Sequence, residues 1–270
     1  MEGKGKYGLL ILFAGLWILV DEILVILEIL ITEAPALEGP LLLRSLGLHL
    51  LYSVAGCLGI IAGLRIYARE NLKGQRLAVS AGILGISMAT LNTTLLSLRF
   101  DYFHDLSMTF LFVGLIFLAC AFPALLLLAG IPKFRADLGR LIVGLSAFLI
   151  SGYLIYGLLY IIPSLLAHAL PVFPGNVFMI VFFFSFLAGL VGLEAGRWIG
   201  QGLARGPSLA ILTGVLYVLL VTIFNIAMAY DSISYYQGAE LVFFYINMIL
   251  NYNVASLYLA GGLVARTTSR

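Results

Sequence analysis

The stretch YGLLILFAGLWILVDEILVILEILI, residues 7–31, decides the class of this protein. Seventeen of its 25 residues are Leu, Ile, Val or Phe, and a helix of this length crosses the roughly 30 Å hydrocarbon layer of a bilayer. We therefore predict a transmembrane helix here. Three carboxylates interrupt the stretch, on Asp21, Glu22 and Glu28, and acids inside a membrane helix are costly enough to require an explanation.

The whole chain has the composition of an integral membrane protein. Hydrophobic residues make up 62% of its 270 residues, charged residues make up 10%, and the mean hydropathy is +1.10. Soluble domains carry about 25% charged residues, so this composition excludes a soluble globular domain. The net charge of +2 is explained by basic loops and does not indicate a nucleic-acid partner, so the partner that we predict is the lipid bilayer.

Seven further apolar runs follow the first one, and each has about 20 or more residues, which is enough to span a bilayer. The breaks between them are short and carry charges, Pro or Gly, so no separate soluble domain fits between them. We predict an all-α polytopic membrane protein in which residues 1–270 form one bundle of eight transmembrane helices. The predicted spans are 7–31, 41–64, 77–98, 107–130, 141–166, 177–196, 208–230 and 241–264.

The positions of the basic residues predict the orientation of the chain. Thirteen of the 15 Lys and Arg residues lie near the two termini or after the second, fourth and sixth spans. Only Arg44 and Arg99 lie on the opposite side. Because cytoplasmic loops are enriched in Lys and Arg, we predict that both termini are cytoplasmic, and an even number of spans agrees with this.

Comparing the chain with itself at a shift of 132 residues indicates a duplication. RIYARENLKGQRLAVSAGIL, residues 65–84, aligns with RWIGQGLARGPSLAILTGVL, residues 197–216, and the aligned positions include two matched glycines. A parallel 4+4 tandem repeat would have halves 1–135 and 136–270, related by an axis along the membrane normal. Alternatively, apolar hairpins with basic loops resemble one another through composition alone, and the sequence leaves both interpretations open.

The carboxylates of the first span have candidate partners in the second span. The intervening turn, residues 32–40, is centred near residue 36, and antiparallel helices place residues equally distant from that centre at similar depth. Glu28 and Arg44 each lie eight residues from the centre. We therefore predict a structural ion pair between them near the outer interface.

Asp21, Glu22 and His49 lie deeper, and their depths agree within about one helical turn. Histidine titrates near neutrality, and acids within transmembrane helices are typical of proton and ion pathways. The three residues therefore predict a proton relay or a cation-coordination site. The alternative is a satisfied polar cluster that fixes the first helix to the second, and it stays open because depth alone does not say which way His49 faces.

Amide side chains in the later spans predict a polar cavity. Asn225 lies in the seventh span, and Asn247 and Asn251 lie four residues apart in the eighth. Amides can line an aqueous pathway, but they also form hydrogen bonds between membrane helices, and both uses stay open.

The sequence contains no HExxH motif, Walker A loop, GxSxG elbow or cluster of cysteine ligands. We predict no cofactor and no metal, although a lipid-processing enzyme that uses the first-span acids stays open. The function that we predict is a small proton- or cation-linked membrane transporter with its polar centre between the first two helices. The alternative is a non-catalytic subunit or assembly factor, which would bind a membrane-protein partner.

Overall fold

A computed structural model describes residues 7–33, 39–99, 119–131, 137–158, 162, 175–232 and 237–268. All regular secondary structure in these ranges is helical, which confirms the predicted all-α class. A short π-helical turn, Ile29–Glu33, extends the first helix. The helices of the described ranges are α1 Tyr7–Glu28, α2 Gly39–Tyr67, α3 Asn71–Arg99, α4 Ala121–Gly130, α5 Leu138–Tyr156, α6 Gly175–Gly200, α7 Gly206–Ser232, α8 Ala239–Leu250 and α9 Asn253–Thr268.

Five helices of the described ranges, α1, α2, α5, α6 and α7, are long and apolar enough to cross a membrane. The pair α8 and α9 makes a sixth candidate span if the two helices cross together. Such segments bury their backbone polar groups in their own hydrogen bonds, which is what a bilayer requires. The chain is therefore an integral, multi-pass membrane protein, and the count of eight spans stays a prediction.

The predicted eighth span is not one continuous helix. α8 ends at Leu250, α9 begins at Asn253, and the two axes differ by 40°. The side chain of Asn253 accepts a hydrogen bond from the backbone N–H of Val254, and asparagine side chains of this kind compete with helical backbone bonds. Apolar residues continue on both sides of this break, so hydropathy alone predicts a single span.

The helices pack in two groups. In the first group, α2 packs against α1 and α3, and α4 packs against α3 and α1. In the second group, α6 packs against α5 and α7, and α9 packs against α7 and α5. The two groups meet where α4 contacts α5 and where α1 contacts α8 and α9.

Glycines allow the first two helices of each group to approach closely. A Cβ atom placed on Gly8 would lie 2.7 Å from the carbonyl oxygen of Gly63, and one placed on Gly63 would lie 2.7 Å from the carbonyl oxygen of Gly8. Between α5 and α6, Gly139 and Gly196 make the same reciprocal contact, at 2.6 and 2.8 Å. Lipid provides little hydrophobic incentive for helices to associate, so this backbone packing stabilises both helix pairs.

Candidate functional site

The centre of the candidate site is a contact between α1 and α2. Nδ1 of His49 lies 2.7 Å from Oε2 of Glu22, and only 6% of His49 and 3% of Glu22 are exposed. The two helices are held close by nearby glycines, since a Cβ atom on Gly56 would lie 2.8 Å from the backbone nitrogen of Leu19. A buried ionisable group needs a partner of this kind, and each side chain provides it for the other.

A cavity of about 440 Å³ lies beside this pair, and its volume falls within the range of small-molecule sites. Its walls come from α1, α2, α3, the start of α4 and the start of α9. Within the described ranges, neither Lys nor Arg lines it. The polar residues that line it are Asp21, Glu22, Glu28, Ser45, His49, Tyr52, Asn92 and Asn253.

Asp21 faces this cavity from the residue position next to Glu22. Its side chain is partly buried, and among the described residues no hydrogen-bond donor reaches its carboxylate. The structure therefore brings Asp21, Glu22 and His49 to one cavity wall, with Glu22 and His49 in direct contact. That these residues relay protons or coordinate a cation stays a prediction.

Glu28 lines another part of the same cavity. Its Oε2 accepts a hydrogen bond from Nδ2 of Asn247 in α8, at 3.2 Å, so this contact joins the first helix group to the second. The predicted partner Arg44 belongs to α2, but its side chain lies outside the described residues, and the ion pair stays a prediction. Glu28 and Asn247 are 219 residues apart in the chain, so counting residues from the turn between two neighbouring helices could not predict their contact.

The other two predicted amides bind each other. Nδ2 of Asn251 donates a hydrogen bond to Oδ1 of Asn225 at 2.9 Å, and Nδ2 of Asn225 donates to the carbonyl oxygen of Met248 at 2.8 Å. These bonds tie α7 to the break between α8 and α9. Asn225 also borders a second pocket of about 320 Å³. That the three amides line one polar cavity stays a prediction.

Aromatic side chains form a wall of the cavity that the sequence patterns did not single out. Trp17, Tyr52 and Phe122 line it, and the rings of Trp17 and Phe122 stack with their centroids 5.6 Å apart. The hydroxyl of Tyr52 donates a hydrogen bond to the carbonyl oxygen of Ala119 at 3.4 Å. The sequence did contain one indication of this wall: Trp17 precedes Asp21 by four residues and therefore lies on the same face of the helix.

An aromatic contact joins α5 to α6 in the second helix group. Tyr153 follows Glu22 by 131 residues and Phe182 follows His49 by 133, and the same two offsets relate the glycine contacts of the two groups. The rings of Tyr153 and Phe182 meet edge to face, with their centroids 5.8 Å apart.

In the part of the chain that the structure describes, no group of three or more His, Cys, Asp or Glu side chains is arranged to hold a metal ion. Comparison of the chain with protein-family models, with curated proteins and with solved structures gave no match.

Proposed function

We propose that this protein is a small proton- or cation-linked membrane transporter whose polar centre is the cavity between α1 and α2. The observation that carries the proposal is the buried 2.7 Å contact between Glu22 and His49 in a cavity wall that Asp21 also lines. Acids at such positions in membrane proteins mark ion pathways and proton relays.

The cost of these acids argues against a purely structural role. An acid at the centre of a transmembrane helix costs roughly 2.5 to 3.5 kcal/mol on insertion scales, and α1 carries two adjacent ones. Close packing of α1 on α2 is already provided by glycines, such as Gly8 against Gly63. Helix association alone would therefore not require an acid and a histidine here.

The chemistry of the pair suits proton transfer. A carboxylate and an imidazole within hydrogen-bonding distance can hold one proton between them, with the charges either paired or absent. Asp21, next to Glu22 in the chain, gives a proton or a cation a second carboxylate on the same cavity wall. In this mechanism Glu22 and His49 hold the proton, and Asp21 contacts the transported ion.

For the fold, the proposal includes eight membrane crossings, cytoplasmic termini and a tandem duplication into halves 1–135 and 136–270. The reciprocal glycine contacts and the matching packing order of the two helix groups support the duplication. A further pair of contacts agrees with it, because Gly82 lies against Leu127 and Gly214 lies against Leu259, each 132 residues later. In such a duplication, Tyr153 would occupy in the second half the position that Glu22 occupies in the first. The chain would then have one polar centre, in its first half.

Proton flux into vesicles tests the transport proposal. Purified protein is reconstituted in vesicles that contain a pH-sensitive dye, and an imposed pH gradient is followed with Na⁺, K⁺ or tetramethylammonium present and a compensating ionophore added. We expect wild-type protein to dissipate the gradient with at least one of these cations. We expect Glu22→Gln and His49→Gln to reduce the flux to that of protein-free vesicles, because each removes one half of the proton-holding pair.

Glu194→Gln is the matched control. Glu194 forms an ion pair with Arg197 in α6 and does not line the cavity, so its loss removes a carboxylate without touching the site. We expect its flux to equal that of wild type. A wild-type protein that carries no flux and co-purifies stoichiometrically with a membrane protein in gentle detergent would contradict the transporter proposal and favour the non-catalytic subunit.

A further inference from the structure

We infer that the cavity between α1 and α2 binds a small organic cation, an alkyl-substituted ammonium ion, in preference to an inorganic cation. The inference rests on the proposed function and names the substrate class of the same site. Three properties of the cavity lead to it: the charge of its lining, the aromatic rings in its wall, and its size.

The described lining is acidic. It contains one histidine and three carboxylates, of which Glu28 accepts a hydrogen bond from Asn247, with neither Lys nor Arg among its described members. The contact with His49 compensates Glu22, but Asp21 receives no hydrogen bond from the described residues. A carboxylate that borders a membrane-embedded cavity is stabilised by a cation in that cavity, so the ligand should carry a positive charge near Asp21.

The aromatic wall selects among cations. Trp17 lies one helical turn before Asp21 on the same face of α1, and Tyr52 and Phe122 complete this side of the cavity. Aromatic faces attract cations, and recognition of substituted ammonium ions is the common functional use of that attraction. Inorganic cations instead prefer several converging oxygen ligands, and the described acids do not converge as a metal-binding group.

The size of the cavity agrees with this class. About 440 Å³ is far more than a bare ion fills and lies within the range of sites for small organic ligands. Ile18, Val25 and Ala89 also line the cavity, and apolar side chains of this kind contact alkyl groups favourably. One charged end near Asp21 and alkyl groups against the aromatic wall would therefore fill it.

Tryptophan fluorescence can report on the cavity alone once the tryptophan outside it is replaced. The chain has two tryptophans, and Trp198 lies outside the cavity with its Nε1 donating to Glu194 at 2.7 Å. In the full-length Trp198→Phe variant, Trp17 is the only tryptophan, and its fluorescence is followed during titration with tetramethylammonium chloride. We expect a saturable change with tetramethylammonium, and none with neopentyl alcohol, NaCl or KCl at matched concentrations.

Two variants in the otherwise native chain, measured by calorimetry, connect binding to named side chains. We expect Asp21→Asn, which keeps the size of the side chain and removes its charge, to weaken tetramethylammonium binding at least about tenfold. We expect Trp17→Leu to weaken it by about twofold to 30-fold, the range of a cation–π contact. Glu194→Gln, outside the cavity, should bind like wild type.

The outcomes separate the substrate class from the transport function. Equal binding of neopentyl alcohol, competition by Na⁺ or K⁺, or unchanged affinity in Asp21→Asn would overturn the inference. If proton flux depends on Glu22 and His49 while tetramethylammonium does not bind, the substrate class is wrong and the proposed function stands. Binding that depends on Asp21, in a protein that carries no flux, would support the ligand class and contradict transport.

Discussion

Breaking the contact between Glu22 and His49 should destabilise the first helix group, whereas removing both side chains should restore most of the stability. His49→Leu leaves the Glu22 carboxylate buried without its imidazole, and Glu22→Met leaves the imidazole without its acid. The double variant replaces the polar pair with two apolar side chains of similar size. The two single changes are therefore expected to be far from additive.

The magnitude follows from the geometry. The two atoms lie 2.7 Å apart, and 3% of Glu22 and 6% of His49 are exposed, so the contact is a buried one. Removing one member of a buried pair costs about 3 to 5 kcal/mol. The cavity beside the pair gives water a place to enter, so we expect the low end of this range, about 3 kcal/mol, for each single variant. Because apolar replacement of both members of a buried pair is close to neutral, we expect about 1 kcal/mol for the double variant and therefore a coupling energy of about 5 kcal/mol.

The measurement is a double-mutant cycle on the free energy of unfolding. Wild-type protein, His49→Leu, Glu22→Met and the double variant are unfolded reversibly in mixed micelles with increasing sodium dodecyl sulfate, and helix content is followed by circular dichroism. Single-variant effects that add within about 0.5 kcal/mol would refute the reasoning, because residues in contact must couple. The reasoning would also fail if the double variant were less stable than both single variants.

The remaining predictions concern helix packing. Gly63→Ala and Gly196→Ala should each cost about 1 to 3 kcal/mol in the same unfolding assay, because a Cβ atom at either position overlaps the neighbouring backbone. Gly47→Ala, where no atom of the described residues lies within 4 Å of the added carbon, should be neutral or slightly stabilising, and an equal loss there would contradict the packing argument. Asn247→Ala should cost about 0.6 kcal/mol through the bond to Glu28, and a change well below that would mean that the bond does not hold the two helix groups together.

The class of the protein followed from residue types alone. The run that begins at Tyr7 is apolar for long enough to cross a bilayer, and α1 occupies it. Hydropathy acts as a sum over a segment, so it needs no knowledge of neighbouring helices. Such a sum does not register the bend at residues 251–252, where apolar residues continue on both sides and the side chain of Asn253 bonds to the helix backbone.

For the candidate site, the sequence predicted only the depth of its residues in the membrane. Counting from the turn between the first two spans placed Glu22 and His49 at similar heights, and the structure describes them in contact. Counting does not give the rotation of α2 about its axis, which decides whether His49 faces α1 or lipid. Such counting could not predict the bond from Asn247 to Glu28 or the contact of Trp17 with Phe122. Both join parts of the chain that are distant in sequence.

By itself, the sequence determined that this chain is a helical membrane protein, where five of its long apolar helices lie, and which ionisable groups they carry. Only the tertiary structure decided which of these groups meet, which of them border the cavity, and where the last apolar run bends. The physical reason is that insertion depends on the composition of each segment separately. Contacts depend on helix rotation and on close backbone approach at residues such as Gly8 and Gly63, which are properties of helix pairs.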